Sequence, residues 1–185
     1  FRIEYPKIKI KIHNHTTPET VRRLVSGKLD FAVITTPFDM PASVSCSEIM
    51  EFEEILVGGT QYTDLCGTVL ELKNLKKYSW IGLGRESATY HLYKDFFIKR
   101  GLDLELDMEV ATADLMLPLI ENNFGIGFVP QKLALPLLKE KKLVQIQTDF
   151  TIPRRSIQII SDKERGKSPA ANTLYEYLKS PFQVS

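Results

Sequence analysis

The stretch KIKIKIH, residues 7–13, alternates without a slip: Ile8, Ile10 and Ile12 on one face, Lys7, Lys9 and Lys11 on the other. Period-two alternation of β-branched and charged residues predicts a half-buried strand. Lysines on its solvent side suit a sheet edge, where charge discourages further pairing. The period then changes. Thr17-Pro18-Glu19 reads as a helix start, with an N-cap, a proline at the first helical position and an acid in the first turn. Val21, Leu24 and Val25 form the apolar stripe of that helix, and Gly27 ends it. Phe31 to Ile34 is continuously apolar, the pattern of a strand buried on both faces. Residues 7–35 therefore predict a β–α–β unit with a parallel strand pair, which makes the chain α/β.

The rest of the chain continues in that style. FEEILVGG (52–59) predicts a strand, and LKNLKKYSWIGLG a turn followed by a strand from Trp80 to Leu83. TYHLYKDFFIKRG predicts a helix with Leu92, Phe96 and Phe97 on one side, stopping at Gly101. LELDMEVAT alternates as a strand, and ADLMLPLIENNFG is a helix capped by Thr112 or Asp114. IGFVP is a short strand, 131–140 a Leu-rich helix, RRSIQIIS a strand, and Ser168-Pro169 starts a closing helix. The order suggests two α/β lobes, with no repeats and no low-complexity segment.

With 24 Lys and Arg against 23 Asp and Glu, the net charge is +1. That balance argues against a nucleic-acid-binding module, which needs a basic excess on one face. Cys46 and Cys66 have no CxxC spacing, so free thiols in a reducing cytoplasm are expected rather than a disulfide or zinc site. The opening residues show no secretory signal pattern, and no run reaches the ~20 apolar residues of a membrane helix. A cytoplasmic protein with no membrane association is expected. The chain starts in mid-pattern without a Met.

IENNFGIGFVP (120–130) looks at first like a phosphate loop. Such a loop runs strand, glycines, helix; here helix precedes Gly125 and Gly127 and strand follows, so the glycines read as structural. Gly125 is expected in a left-handed helix cap, and Gly127 in close packing at the strand start. His13 and His15 share a face of an extended segment but lack a third ligand, so they are read as solvent-facing imidazoles. His91 has no partner signalled, and no metal or other cofactor is expected. There is no GxSxG or catalytic-cysteine signature, and Glu53-Glu54 fall on opposite strand faces, so no catalytic residues and no enzyme are expected. The informative feature is small hydroxyl residues at strand-to-helix turns: Thr16-Thr17, Thr35-Thr36, Gly84-Arg85-Glu86-Ser87 and Thr112-Ala113. In open α/β sheets ligands bind off the carboxyl ends of the strands, where helix N-termini offer unpaired N–H groups. Jointly these turns point to a site for a small anionic ligand.

YPKIKIKIHNHTTPETVRRLVSGKLDFAVIT resembles the opening of the effector-binding domain of LysR-type transcriptional regulators. VATADLMLPLIENNFGIGFVP and SPAANTLYEYL resemble later segments of that family, in the right order. The resemblance implies two Rossmann-like lobes of the periplasmic-binding-protein-like (type II) fold, joined by two crossovers, with an effector cleft between them. The lobes would be residues 1–55 with 154–185, and residues 56–153. It places Thr17 in the cleft and Thr112 with its neighbours on the opposing lobe. Arg85 to Ser87 would line the pocket, with Arg85 as counter-charge, and Pro130 would lie near the rim. It further implies a ligand-sensing domain for an organic or inorganic anion, a homodimer or tetramer, and DNA contact only through a helix-turn-helix outside this chain. In the family a further strand precedes the position of Phe1. The sequence departs from the family at His15, where glycine is frequent, and at QYTDLCGTVL. The runner-up is a solute-binding receptor of a transporter.

Overall fold

The computed structural model describes residues 1–180; the last five positions of the expected 154–185 segment lie outside the described residues. In chain order come α1 (Thr17–Val25), β1 (Ala32–Thr35), β2 (Val44–Phe52) and β3 (Glu54–Gly59). Two 3-10 segments, Thr60–Leu65 and Leu72–Lys77, flank β4 (Val69–Leu70). Next are β5 (Ile81–Leu83), α2 (Ala88–Ile98), β6 (Met108–Val110), a 3-10 turn at Ala113–Leu115 and α3 (Met116–Glu121). β7 (Ile126–Pro130), α4 (Gln131–Lys139), β8 (Leu143–Gln145), β9 (Gln147–Thr148), β10 (Arg155–Asp162) and α5 (Pro169–Lys179) complete the series. The backbone divides into two compact units, residues 1–51 with the segment from Arg155 onward, and residues 52–154.

In the first unit the sheet order is β1-β10-β2, with β1 antiparallel to β10 from Ala32↔Ile160 to Thr35↔Ile157. The expected strand at 7–13 and its parallel pairing are not formed. Alternation assigns faces to a segment, but a strand also needs a neighbour to take its N–H and C=O groups. None of the described residues supplies one, and Ile12 is left 90% exposed. What ties down this stretch is its beginning: Phe1 stacks on Tyr5 with ring centroids 4.8 Å apart and meets Tyr177 of α5 edge-on at 5.3 Å. β1 is an edge strand with Val33 47% exposed, so it is buried on one face and not two. β2 falls in a stretch where no element was expected, because VSCSEIMEF mixes polar and apolar residues without a sharp period. The core joins Val21 and Leu24 of α1 to Ala32, Ile34, Val44 and Ile160.

α1 ends as its glycine requires. Gly27 has φ +74, a left-handed conformation costly for other residues. An added Cβ there would also displace the Arg165 guanidinium. That guanidinium donates to the last carbonyls of the helix, at Leu24 and Val25 (both 3.4 Å), so a cation meets the negative end of the helix dipole.

In the second unit β3 lies between β7 and β8, antiparallel to both. β5 pairs in parallel with β6, and a parallel bridge joins Trp80 to Ile126 at the start of β7. The parallel pairing expected of the chain is therefore found here, around β5, and not at residues 7–35. One core gathers Trp80, Tyr90, Tyr93, Phe96, Phe97, Ile126 and Phe128; another packs α3 and α4 through Ile81, Met116, Ile120, Val129 and Ala134. Trp80 buries its ring against Phe97 (5.7 Å) and Phe128 (5.5 Å), and its indole N–H donates to the Leu75 carbonyl at 3.2 Å. LELDMEVAT pairs only over β6; ahead of it, the Asp107 carboxylate accepts the Trp80 N–H at 2.8 Å. The helix expected over ADLMLPLIENNFG starts as the 3-10 turn, and the Thr112 side chain makes no capping bond.

The two glycines of IENNFGIGFVP are structural, but the reason for Gly125 differs from the expected one. The left-handed residue after α3 is Asn123, with φ 64. Its side chain accepts the Gln61 N–H at 2.9 Å, and asparagine tolerates this conformation better than most residues. Gly125 is required by proximity: an added Cβ would meet the Ser79 carbonyl oxygen at 2.5 Å. At Gly127 it would meet the Ile81 carbonyl oxygen at 2.8 Å. Both glycines let β7 lie close beside the chain entering β5.

Candidate functional site: hydroxyl-bearing turns

In the first unit Thr16, and not the expected Thr17, is the N-cap of α1, which makes Pro18 the second helical residue. Thr16 is extended at φ −60 and ψ 153, with its carbonyl accepting the Thr20 N–H at 2.9 Å. Its side chain does not bond the helix, so the hydroxyls of Thr16 and of Thr17, the first helical residue, stand where the first N–H groups of α1 are unpaired within the helix. Glu19 in that turn is engaged by Arg23 (2.7 Å) and Arg22 (3.0 Å). The Arg23 hydrogen bond, with the charges of both arginines, holds its carboxyl below the ordinary glutamate value. His15 does not face solvent as expected. It is half-buried, its Nε2 is shielded without a hydrogen-bond partner among the described residues, and its ring stacks on His13 at 5.9 Å.

The second turn of this unit, at the end of β1, is organised by a residue that sequence reasoning passed over. Arg155 is buried, donating from Nε to the Thr36 carbonyl (2.6 Å) and from Nη2 to Thr35 Oγ1 (2.8 Å). The Ser156 N–H donates to Thr36 Oγ1 at 2.9 Å. Ser156 and Gln158, two apart on β10, are also buried; Gln158 Nε2 donates to Ser156 Oγ (2.6 Å) and Glu48 (3.2 Å), and its Oε1 accepts from the Cys46 thiol (3.0 Å). Buried polar groups persist when paired in this way. Burial, and then the Glu48 charge, push the Cys46 thiol above its ordinary pKa. The available signal was an arginine at the head of the otherwise uncharged run Ser156–Ser161.

In the second unit β5, β6 and β7 run parallel, so their carboxyl ends share one edge of the sheet. That edge carries the Arg85–Ser87 turn, the Thr112-Ala113 turn and Pro130. The first two are adjacent: Leu83 pairs with Val110, and the Gly84 N–H donates to the Val110 carbonyl at 3.0 Å. Ser87 is a buried N-cap whose Oγ accepts the Tyr90 N–H at 3.0 Å. The Arg85 side chain is exposed and pairs with Glu109 at 3.2 Å, so an anion at this turn competes with that carboxylate. Glu86 is exposed, and Ala113 opens the 3-10 turn after Thr112. Pro130 faces Glu54 across the sheet and precedes α4. Among the described residues no group of His, Cys, Asp or Glu is placed to hold a metal, and no helix is long and apolar enough to cross a membrane.

The two mixed α/β units have the periplasmic-binding-protein-like (type II) fold. The fold is that of solved effector domains: the regulatory domain of Synechocystis PCC6803 CcmR in complex with 2-PG (TM-score 0.80, 15% identity, 97% of this chain and 86% of that one). The effector-binding domain of QuiR in complex with shikimate is similar at TM-score 0.76 and 16% identity, covering 95% of this chain and 82% of that one. The model of the LysR substrate binding domain matches residues 1–183, and the chain belongs to that family. Among curated relatives, a probable RuBisCO transcriptional regulator of Cyanophora paradoxa is 22% identical over 100% of this chain. The uncharacterized HTH-type transcriptional regulator YwbI of Bacillus subtilis is 24% identical over 97% of it. The chain spans 58% and 59% of those relatives' lengths. The matched family and these relatives are regulatory proteins, not enzymes, and they favour the regulator over the transporter receptor.

Proposed function

We propose that this chain is the ligand-sensing part of a bacterial LysR-type transcriptional regulator and takes a small organic or inorganic anion at its hydroxyl-bearing turns. The observation that carries the reading is the state of three hydroxyls. Thr35 Oγ1, Thr36 Oγ1 and Ser87 Oγ each already accept a bond from a fixed donor: Arg155, the Ser156 N–H and the Tyr90 N–H respectively. Each is left with its O–H to give, so these turns favour a ligand rich in acceptors, such as a carboxylate or a phosphate. Thr16, Thr17, Thr112 and the N–H groups around Ala113 add donors, Arg85 supplies charge by exchanging Glu109 for the ligand, and Glu86 and Pro130 border the turns. Residues 1–55 with 154–185 and residues 56–153 act as the two lobes. In the complete regulator the chain works as a homodimer or tetramer in the cytoplasm and reaches DNA through a helix-turn-helix domain. A ligand shifts such a regulator only by binding its two states unequally.

The test is thermal unfolding of the chain with 2-PG, shikimate and a panel of carboxylates and oxyanions. An anion at about a hundred times its Kd adds about 2.7 kcal/mol to stability, a shift of several degrees that Thr17→Val and Thr36→Val should abolish. If none of the anions moves the melting temperature, or the shift survives both substitutions, the reading is wrong.

A further inference from the structure

Residues 52–154 line a half-open cavity of about 570 Å³, inside the range of roughly 300–1,000 Å³ typical of small-molecule sites. Part of its wall is apolar, formed by Leu56 of β3, Phe128 of β7, and Phe150 and Ile152 of the segment that follows β9, while Gln145, Gln147 and Thr151 add polar groups. Phe128 and Phe150 meet edge-on at 6.4 Å, and Phe150 leans on Phe96 of α2 at 5.5 Å, so the rings are fixed before any ligand arrives. The Thr148 hydroxyl donates to the Phe150 carbonyl at 2.7 Å and holds the segment in place. Charged groups in the lining are Glu53, Glu54 and Arg154. Arg154 is ion-paired with Glu53, and both side chains are about half exposed or more (66% and 49%). A pair so exposed to water is held weakly. None of the hydroxyl-bearing turns lines this cavity, and all of its lining comes from 52–154.

We propose that this cavity is a second small-molecule site, for a monocarboxylic acid with a compact aromatic or alicyclic body. The body lies against Leu56, Phe128, Phe150 and Ile152. The carboxylate takes the Arg154 guanidinium in place of Glu53, because a planar guanidinium binds a free carboxylate through two parallel hydrogen bonds. A neutral ligand has no carboxylate to exchange for Glu53 at Arg154.

Trp80, the single tryptophan, lies 5.5 Å from Phe128 and reports on the cavity. Titration with phenylacetate should change Trp80 fluorescence saturably at millimolar concentration. Arg154→Ala should weaken this response at least about tenfold and Arg154→Lys less, since lysine keeps the charge but loses the fork. Phenylacetamide should bind more weakly than phenylacetate to the native chain but equally to Arg154→Ala. Val69, exposed at the rim, gives an independent variant: Val69→Phe should narrow the mouth and weaken binding with an unchanged circular dichroism spectrum. No saturable response, unchanged affinity in Arg154→Ala, or equal binding of the acid and the amide to the native chain overturns the proposal. A response lost in Thr17→Val but kept in Arg154→Ala places phenylacetate at the hydroxyl-bearing turns; it removes this second site and leaves the proposed function standing.

Discussion

Two stretches that carry isoleucine have opposite fates in this molecule. Ile8, Ile10 and Ile12 follow the period of a strand without error, yet their segment pairs with nothing among the described residues and Ile12 is 90% exposed. IGFVP has no alternation and contains a glycine with another just before it, yet Ile126 to Val129 are all buried and β7 pairs with β3 over its whole length. The difference lies in the neighbours. β7 has β3 on one side and the approach to β5 on the other, reached at close range because Gly125 and Gly127 have no Cβ. Local pattern states which face of a strand prefers oil; whether a strand forms depends on a second chain segment being there.

Placing one substitution in both stretches tests this directly. Ile126→Ala should cost about 2–5 kcal/mol by urea unfolding, since it empties a fully buried position. Gly125→Ala should cost about 1–3 kcal/mol because its methyl group meets backbone, which yields less readily than a side chain. Ser87→Ala removes the cap of α2 and should cost about 0.5–2 kcal/mol. Ile12→Ala should stay within about 0.5 kcal/mol, and amides 8–12 should exchange with solvent long before those of 126–129. A large effect of Ile12→Ala would show that the segment has a partner.

A smaller effect concerns acid. Asp162 accepts the backbone N–H groups of Glu164 (2.9 Å) and Arg165 (3.2 Å), and these bonds hold its carboxyl below the ordinary aspartate value. A carboxyl depressed in the folded state stabilises it above the unfolded pKa, and that stability is lost as pH falls through the folded pKa. Asp162→Asn keeps an acceptor but no charge. It should be less stable than the native chain near neutral pH, with the gap closing as the solution is acidified through the carboxylate range.

The helix starts at which the candidate turns lie were legible because they rest on local chemistry. Thr16-Thr17-Pro18, Ser87 and Ser168-Pro169 announce helix starts within a few residues, and the structure has helices beginning at Thr17, Ala88 and Pro169. Arg155 was not legible, since its role is to reach Thr35 and Thr36 from 119 to 120 positions away. β2, β8 and β9 were missed for a related reason. Their residues have weak periodicity, and pairing with β10, β3 and β4 makes them strands.

The sequence by itself determined where helices begin, that Gly125 and Gly127 are structural, and which family the chain resembles. Each is settled by residues near one another along the chain, through caps, φ preferences and short motifs. Only the tertiary structure decided that β1 is an antiparallel edge strand, that Asn123 and not Gly125 takes the left-handed turn, and that Arg155 organises the end of β1. Those outcomes turn on which distant backbone satisfies which hydrogen bond. Many pairings compete for the same donors and acceptors, and three-dimensional packing selects among them.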